Sequence, residues 1–118
     1  MNMAVPPINS LILVYNRDIL TQLLLFEHLK EKRNLIVVTN LKEIKPIIEN
    51  RPIRLILAEI NEEDFQYWRN LRDTLPNPKP KVLGLCSLTL PQYLLNDLGL
   101  DDQIVKPIDL DELDQKII

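Results

Sequence analysis

Five short apolar runs recur along this chain, and a helical segment follows each of them. They are Leu11-Ile12-Leu13-Val14-Tyr15, Leu35-Ile36-Val37-Val38, Leu55-Ile56-Leu57-Ala58-Glu59-Ile60, Val82-Leu83-Gly84-Leu85-Cys86 and Ile104-Val105. The runs are of strand length and nearly unbroken in their apolar character. That pattern belongs to strands covered on both faces, whereas a half-exposed sheet would alternate apolar and polar residues. With short connections and right-handed crossovers, such strands form a parallel sheet with helices packed on both sides. The expected fold is therefore α/β, a doubly wound five-stranded parallel sheet in which βα is repeated five times. In sheets of this kind functional groups gather at the carboxyl ends of the strands, near the point where strand order reverses.

The helices carry recognisable punctuation. Asn16 to Asp18 make a polar turn that supplies capping side chains for a helix from about Ile19 to Arg33. Leu41 to Asn50 reads as a short helix that Pro46 shortens or kinks. Asn61-Glu62-Glu63-Asp64 is an acidic helix start, and Phe65, Trp68, Leu71 and Leu75 follow at helical spacing. Pro76-Asn77-Pro78-Lys79-Pro80 ends that helix. Thr89 can cap the next one, with Pro91 in its first turn and Gly99 at its stop. Asp109 and Glu112 form an Asp-x-x-Glu start to the last helix.

At 118 residues the chain holds one domain, read as an N-terminal extension over 1–10 and a single unit over 11–118. A net charge of -3 argues against a nucleic-acid surface, since phosphate binding needs clustered Lys and Arg. The one dense basic stretch, Lys30-Glu31-Lys32-Arg33, is broken by a Glu and suits a helix C-terminus. A single cysteine, Cys86, excludes an intrachain disulfide and fits a reducing compartment. No apolar run reaches the length of a membrane span, and the N-terminus lacks the basic and apolar regions of a signal peptide. The expected location is cytoplasmic.

The end of the chain is more specific. Leu98-Gly99-Leu100-Asp101-Asp102-Gln103-Ile104-Val105-Lys106-Pro107, followed at once by a capped acidic helix, resembles the fifth strand and last helix of the response-regulator receiver (CheY-like, flavodoxin-like) domain. The resemblance runs from Leu11 to Ile118, tightest at the C-terminal end and looser around the Pro-rich loop. It implies an acidic pair after the first strand, a phosphoacceptor Asp ending the third, a Thr or Ser ending the fourth and a Lys before Pro ending the fifth.

This chain departs from that pattern almost everywhere. The acidic-pair positions hold Tyr15 and Asn16, the phosphoacceptor position holds Glu59, and Cys86 stands at the hydroxyl position with Ser87 beside it. Only Lys106 is kept. Gln103 replaces the aromatic that commonly moves on activation. The resemblance thus implies a degenerate phosphorylation site with weak or absent Mg2+ binding, because an amide and a phenol add no charge for a hard cation. Glu59 is expected to meet Lys106 in a permanent ion pair; the plain alternative is a solvated strand-end carboxylate. Asp18 is assigned to capping, and approaches the site only if the turn is remodelled. A one-residue shift that brings Ser87 to the hydroxyl position stays open. No metal ligand set, cofactor or catalytic residue is expected.

Other residues have ordinary readings. Cys86 reads as a small buried hydrophobe before it reads as a redox sensor. His28 has no second His to share a metal. Phe65, Tyr67 and Trp68 fit core and boundary aromatics, and Asp109, Asp111, Glu112 and Asp114 suit a helix start. The first helix has too many apolar residues for one stripe, so Leu25 or Phe26 is expected at the surface as part of a partner face, unless Val5 and Ile8 fold back over it. Gln103 and Ile108, on the last strand and helix, belong to the other candidate partner surface.

The reading that follows is a non-enzymatic pseudo-receiver, a protein-interaction module in signal transduction that works without Asp phosphorylation. Its partner is another signalling or regulatory protein, with no nucleic acid and no membrane, and self-association as a homodimer is left open. Its effect passes through that partner or through a larger protein of which this chain is a part. Two alternatives stand beside it: an atypical phosphoacceptor receiver of a phosphorelay, and a receiver-like sensor of quinone-type small molecules.

Overall fold

The structure, a computed structural model, describes residues 11–31 and 34–117. Its strands are β1 (Leu11–Tyr15), β2 (Asn34–Val38), β3 (Ile53–Glu59), β4 (Lys81–Cys86) and β5 (Asp102–Val105). They form one sheet in the order β2-β1-β3-β4-β5, and every neighbouring pair is parallel. Helices α1 (Ile19–Leu29), α2 (Ile44–Asn50), α3 (Phe65–Arg72), α4 (Gln92–Leu98) and α5 (Leu110–Lys116) fill the crossovers and the C-terminus. Strand order reverses between β1 and β3. Tyr15 is level with Ala58 there, so Asn16 and Glu59 emerge side by side at the crevice.

Burial on both faces explains the unbroken apolar runs. One core layer packs Leu13, Ile56 and Val82 against Ile44 and Ile48 of α2, Trp68 and Leu71 of α3, and Leu95 and Leu98 of α4. The opposite layer packs Ile12, Val14, Leu57 and Leu83 against Leu25 and Leu29 of α1 and Leu113 of α5. Each fully covered aliphatic side chain contributes about 1.5–3 kcal/mol, so the sheet's two faces dominate the fold's stability. Gly84 sits where an added Cβ would lie 2.9 Å from Ile60 Cγ1 and 3.0 Å from Leu100 Cδ1, which explains a glycine in the middle of β4.

Several boundaries differ from the sequence expectation. Helix α1 ends at Leu29 with Lys30 as its C-cap, short of Arg33; Lys32 and Arg33 lie outside the described residues. Strand β2 already begins at Asn34. Leu41–Glu43 is a 3-10 turn, and α2 starts at Ile44. Pro46 therefore falls in the first α-helical turn, where its missing N–H costs no helix bond. Leu75 lies beyond α3 yet still packs on the core. Thr89 does not cap α4: Pro91 is the N-cap and no side chain bonds there. The reason is tertiary, because the neighbouring Leu90 backbone is bonded to Gln103. Asp109 caps α5 as expected, accepting from the N–H groups of Asp111 and Glu112. Glu112 itself pairs forward with Lys116.

Candidate functional site at the carboxyl ends of the strands

The strand ends gather Tyr15, Asn16, Arg17, Glu59, Cys86 and Lys106. Glu59, the last residue of β3, has a side chain only 12% exposed, and both its oxygens are engaged. Its Oε1 accepts the backbone N–H of Arg17 at 2.8 Å, with the Arg17 Nε 3.8 Å away. Its Oε2 lies 3.8 Å from Lys106 Nζ. The Arg17 guanidinium also reaches Glu63 at 3.8 Å. Two cations of the chain thus flank one strand-end carboxylate, and Glu59 is not a solvated group without partners.

Asn16 is fully buried and works as a turn former. Its Oδ1 accepts the Asp18 N–H at 2.8 Å, its own N–H donates to the Val38 carbonyl, and its carbonyl accepts from Gln22 Nε2. Tyr15 is buried in the sheet, and burial, with Glu59, Glu63 and Asp64 nearby, pushes its phenol above the usual range against the opposing Arg17 charge. Asp18 caps α1 through Leu20 N–H and Thr21 Oγ1, and the Thr21 bond first of all holds its carboxyl below the usual range.

This donor set does not fit a hard divalent cation. The Asn16 amide oxygen is taken, the Glu59 oxygens face an N–H and an ammonium, and Arg17 adds further positive charge. Among the described residues no group of three His, Cys, Asp or Glu side chains is placed to hold a metal.

Cys86 ends β4 with 2% of its surface exposed, while Ser87 lies beyond the strand and is exposed. Burial pushes the Cys86 thiol up to about 11, only partly countered by Lys106. A thiol held protonated is a poor nucleophile, so the packed-hydrophobe reading describes it better than the redox sensor. Gln103 on β5 uses its whole amide on one residue: Oε1 accepts the Leu90 N–H and Nε2 donates to the Leu90 carbonyl, both at 2.8 Å. It clamps the β4–α4 loop.

The expected partner face needs correction. Leu25 has 0% of its surface exposed and packs in the core under α1, because it points toward Leu29 and the sheet. Phe26 is exposed as expected, together with Ile19, Leu20, Leu23 and Leu24. Ile108 packs against the α1/α5 core layer and is only partly accessible, and the Gln103 amide is spent on Leu90. Val5 and Ile8 lie outside the described residues. His28 is a boundary residue that bonds Asp114 on α5 at 2.8 Å. Trp68 is buried and Tyr67 partly so, with ring centroids 5.6 Å apart in an edge-on contact.

Sequence reasoning missed Arg17 and Leu90. A basic residue after Asn16 is no signal on its own; it gains meaning only once β1 and β3 are neighbours.

A doubly wound sheet in this strand order, with lysine before proline at the end of β5, is the CheY-like receiver fold of response regulators in two-component signal transduction. Particular solved structures carry the likeness. The N-terminal domain of the nisin resistance regulator NsrR, a lantibiotic response regulator, superposes with a TM-score of 0.77 at 25% identity, covering 92% of this chain and 94% of that one. The Vibrio cholerae chemotaxis protein CheY4 gives 0.80 at 15% identity, covering 92% and 95%. The receiver domain of Saccharomyces cerevisiae Ssk1, in co-crystals with the histidine phosphotransfer protein Ypd1, gives 0.74 at 18%, covering 92% and 86%. No protein-family model matches the sequence, and no curated protein matches it. Among the described residues no helix is long and apolar enough to cross a membrane.

Proposed function

We propose that this chain is a pseudo-receiver: a non-enzymatic module that binds another signalling or regulatory protein in one fixed conformation, without Asp phosphorylation. Residues 11–118 make up the receiver-like unit, and 1–10 precede it as an extension. The observation that carries this reading is the Glu59 carboxylate, held between Arg17 and Lys106 where a receiver has its phosphoacceptor. A carboxylate whose two oxygens are already paired with cations has no free charge for Mg2+ and is poorly placed as a nucleophile toward phosphate. The Gln103 clamp on Leu90 supports the same reading, since it ties down the loop that would have to move if the module were a two-state switch. The Ssk1 receiver crystallised with Ypd1 supports a protein as the kind of partner such a fold takes.

The test is an amide NMR titration with Mg2+ and beryllofluoride, a mimic of the phosphoryl group. The expected spectrum does not move. Shifts confined to Asn16, Glu59, Cys86 and Lys106 would reinstate a phosphoacceptor site and end the pseudo-receiver reading.

A further inference from the structure

We infer that the outer face of α1 is a self-association surface on which a second copy of this chain packs, helix against helix, about a two-fold axis. Helix α1 is apolar on both sides. Leu25 and Leu29 turn into the core, and the opposite side carries Ile19 (65% exposed), Leu20 (76%), Leu23 (54%), Leu24 and Phe26. Ile19, Leu23 and Phe26 are spaced four and three apart, which aligns them as a seam, with Leu20 and Leu24 alongside. Toward the edge strand β2 the surface becomes mixed: Phe26 and Leu35 line one hollow together with Lys30 and Arg51, and exposed Val37 lies on the same sheet face as Leu35.

Size and charge single out the occupant. Five such side chains expose on the order of 500 Å² of apolar surface, more than scattered single residues account for. Covering it on two copies removes on the order of 1,000 Å², before the helix rims and β2 are added, which brings the contact to the lower edge of specific interfaces. Glu27 lies within the stripe and Lys30 at its C-terminal end, and the two are already paired at 2.9 Å in their own helix. The face is therefore close to neutral and offers an acidic or basic partner little to recognise, while two copies meet on it without like charges opposed. An antiparallel crossing also opposes the helix dipoles favourably. This inference is independent of the strand-end chemistry.

Sedimentation equilibrium of the full chain, from about 1 to 300 μM, tests it. The expected result is a monomer–dimer equilibrium within that range, weakened at least tenfold by Leu20→Asp and by Leu23→Asp, each shown by circular dichroism to be folded. Both positions are exposed, so the variants keep the core intact. A chain that stays monomeric throughout overturns the inference. So does a dimer that both folded variants leave unchanged, which would place the contact elsewhere.

Discussion

Lys106 Nζ stands 3.8 Å from Glu59 Oε2, although their strands, β5 and β3, are separated by β4. The contact spans two strand spacings, about 9–10 Å of sheet, and closes over the carboxyl end of β4. Cys86 ends that strand, and its thiol feels the Lys106 charge. The pair therefore ties the ends of three strands together on one side of the crevice, while Arg17 ties Glu59 to β1 on the other.

Lys106→Met is expected to lower the unfolding free energy by about 1–3 kcal/mol. That lies between the values for an exposed pair and for breaking a buried one, because Lys106 is 28% exposed and Glu59 12%. Urea unfolding followed through Trp68 measures it. A melt identical to the parent would show that the contact is not a structural lock.

Gln103→Ala removes two hydrogen bonds from the Leu90 backbone and leaves its N–H and carbonyl to find water. The expected cost is about 1–2 kcal/mol, with amide exchange accelerated over residues 87–90 and unchanged in β1. Exchange that rises equally everywhere would mean global destabilisation without release of the loop.

Cys86 gives a pH signature. Its folded pKa, about 11, lies above the ordinary 9.0, so the folded state holds a thiol proton that the unfolded state releases first. This stability is fully present below about pH 9 and is lost as pH rises toward about 11. Between those values unfolding free energy should fall with a slope that is reduced in Cys86→Ala, the remainder coming from Tyr15 and other groups. Native protein at pH 8 should resist iodoacetamide and react once unfolded in urea.

Leu25→Asp and Phe26→Asp should part company despite being neighbours. Leu25 is buried between α1 and the sheet, and a carboxylate there has no partner, so that variant is expected to unfold or to lose roughly 3–5 kcal/mol. Phe26→Asp should melt within about 1 kcal/mol of the parent, since the ring is exposed. Circular dichroism melts of the two variants decide this.

The strands, the helix caps at Asp18 and Asp109, and the doubly wound class were legible in the chain, because strand burial and capping are written in local patterns. Five unbroken apolar runs announce a sheet covered on both faces, and a short carboxylate before a helix announces its start. The strand-end positions of Glu59, Cys86 and Lys106 were readable through the resemblance to receivers, which sets the register of those runs. What only the tertiary structure decided were contacts between groups remote in sequence. Arg17 meets Glu59 across 42 positions, and Gln103 reaches Leu90 across 13, displacing the helix start expected at Thr89. Which of Leu25 and Phe26 faces outward was decided by the rotation of α1 on the sheet. A helix with leucines on both its inner and its outer side carries little periodic signal to fix that rotation; packing against Ile12, Val14 and Leu113 does.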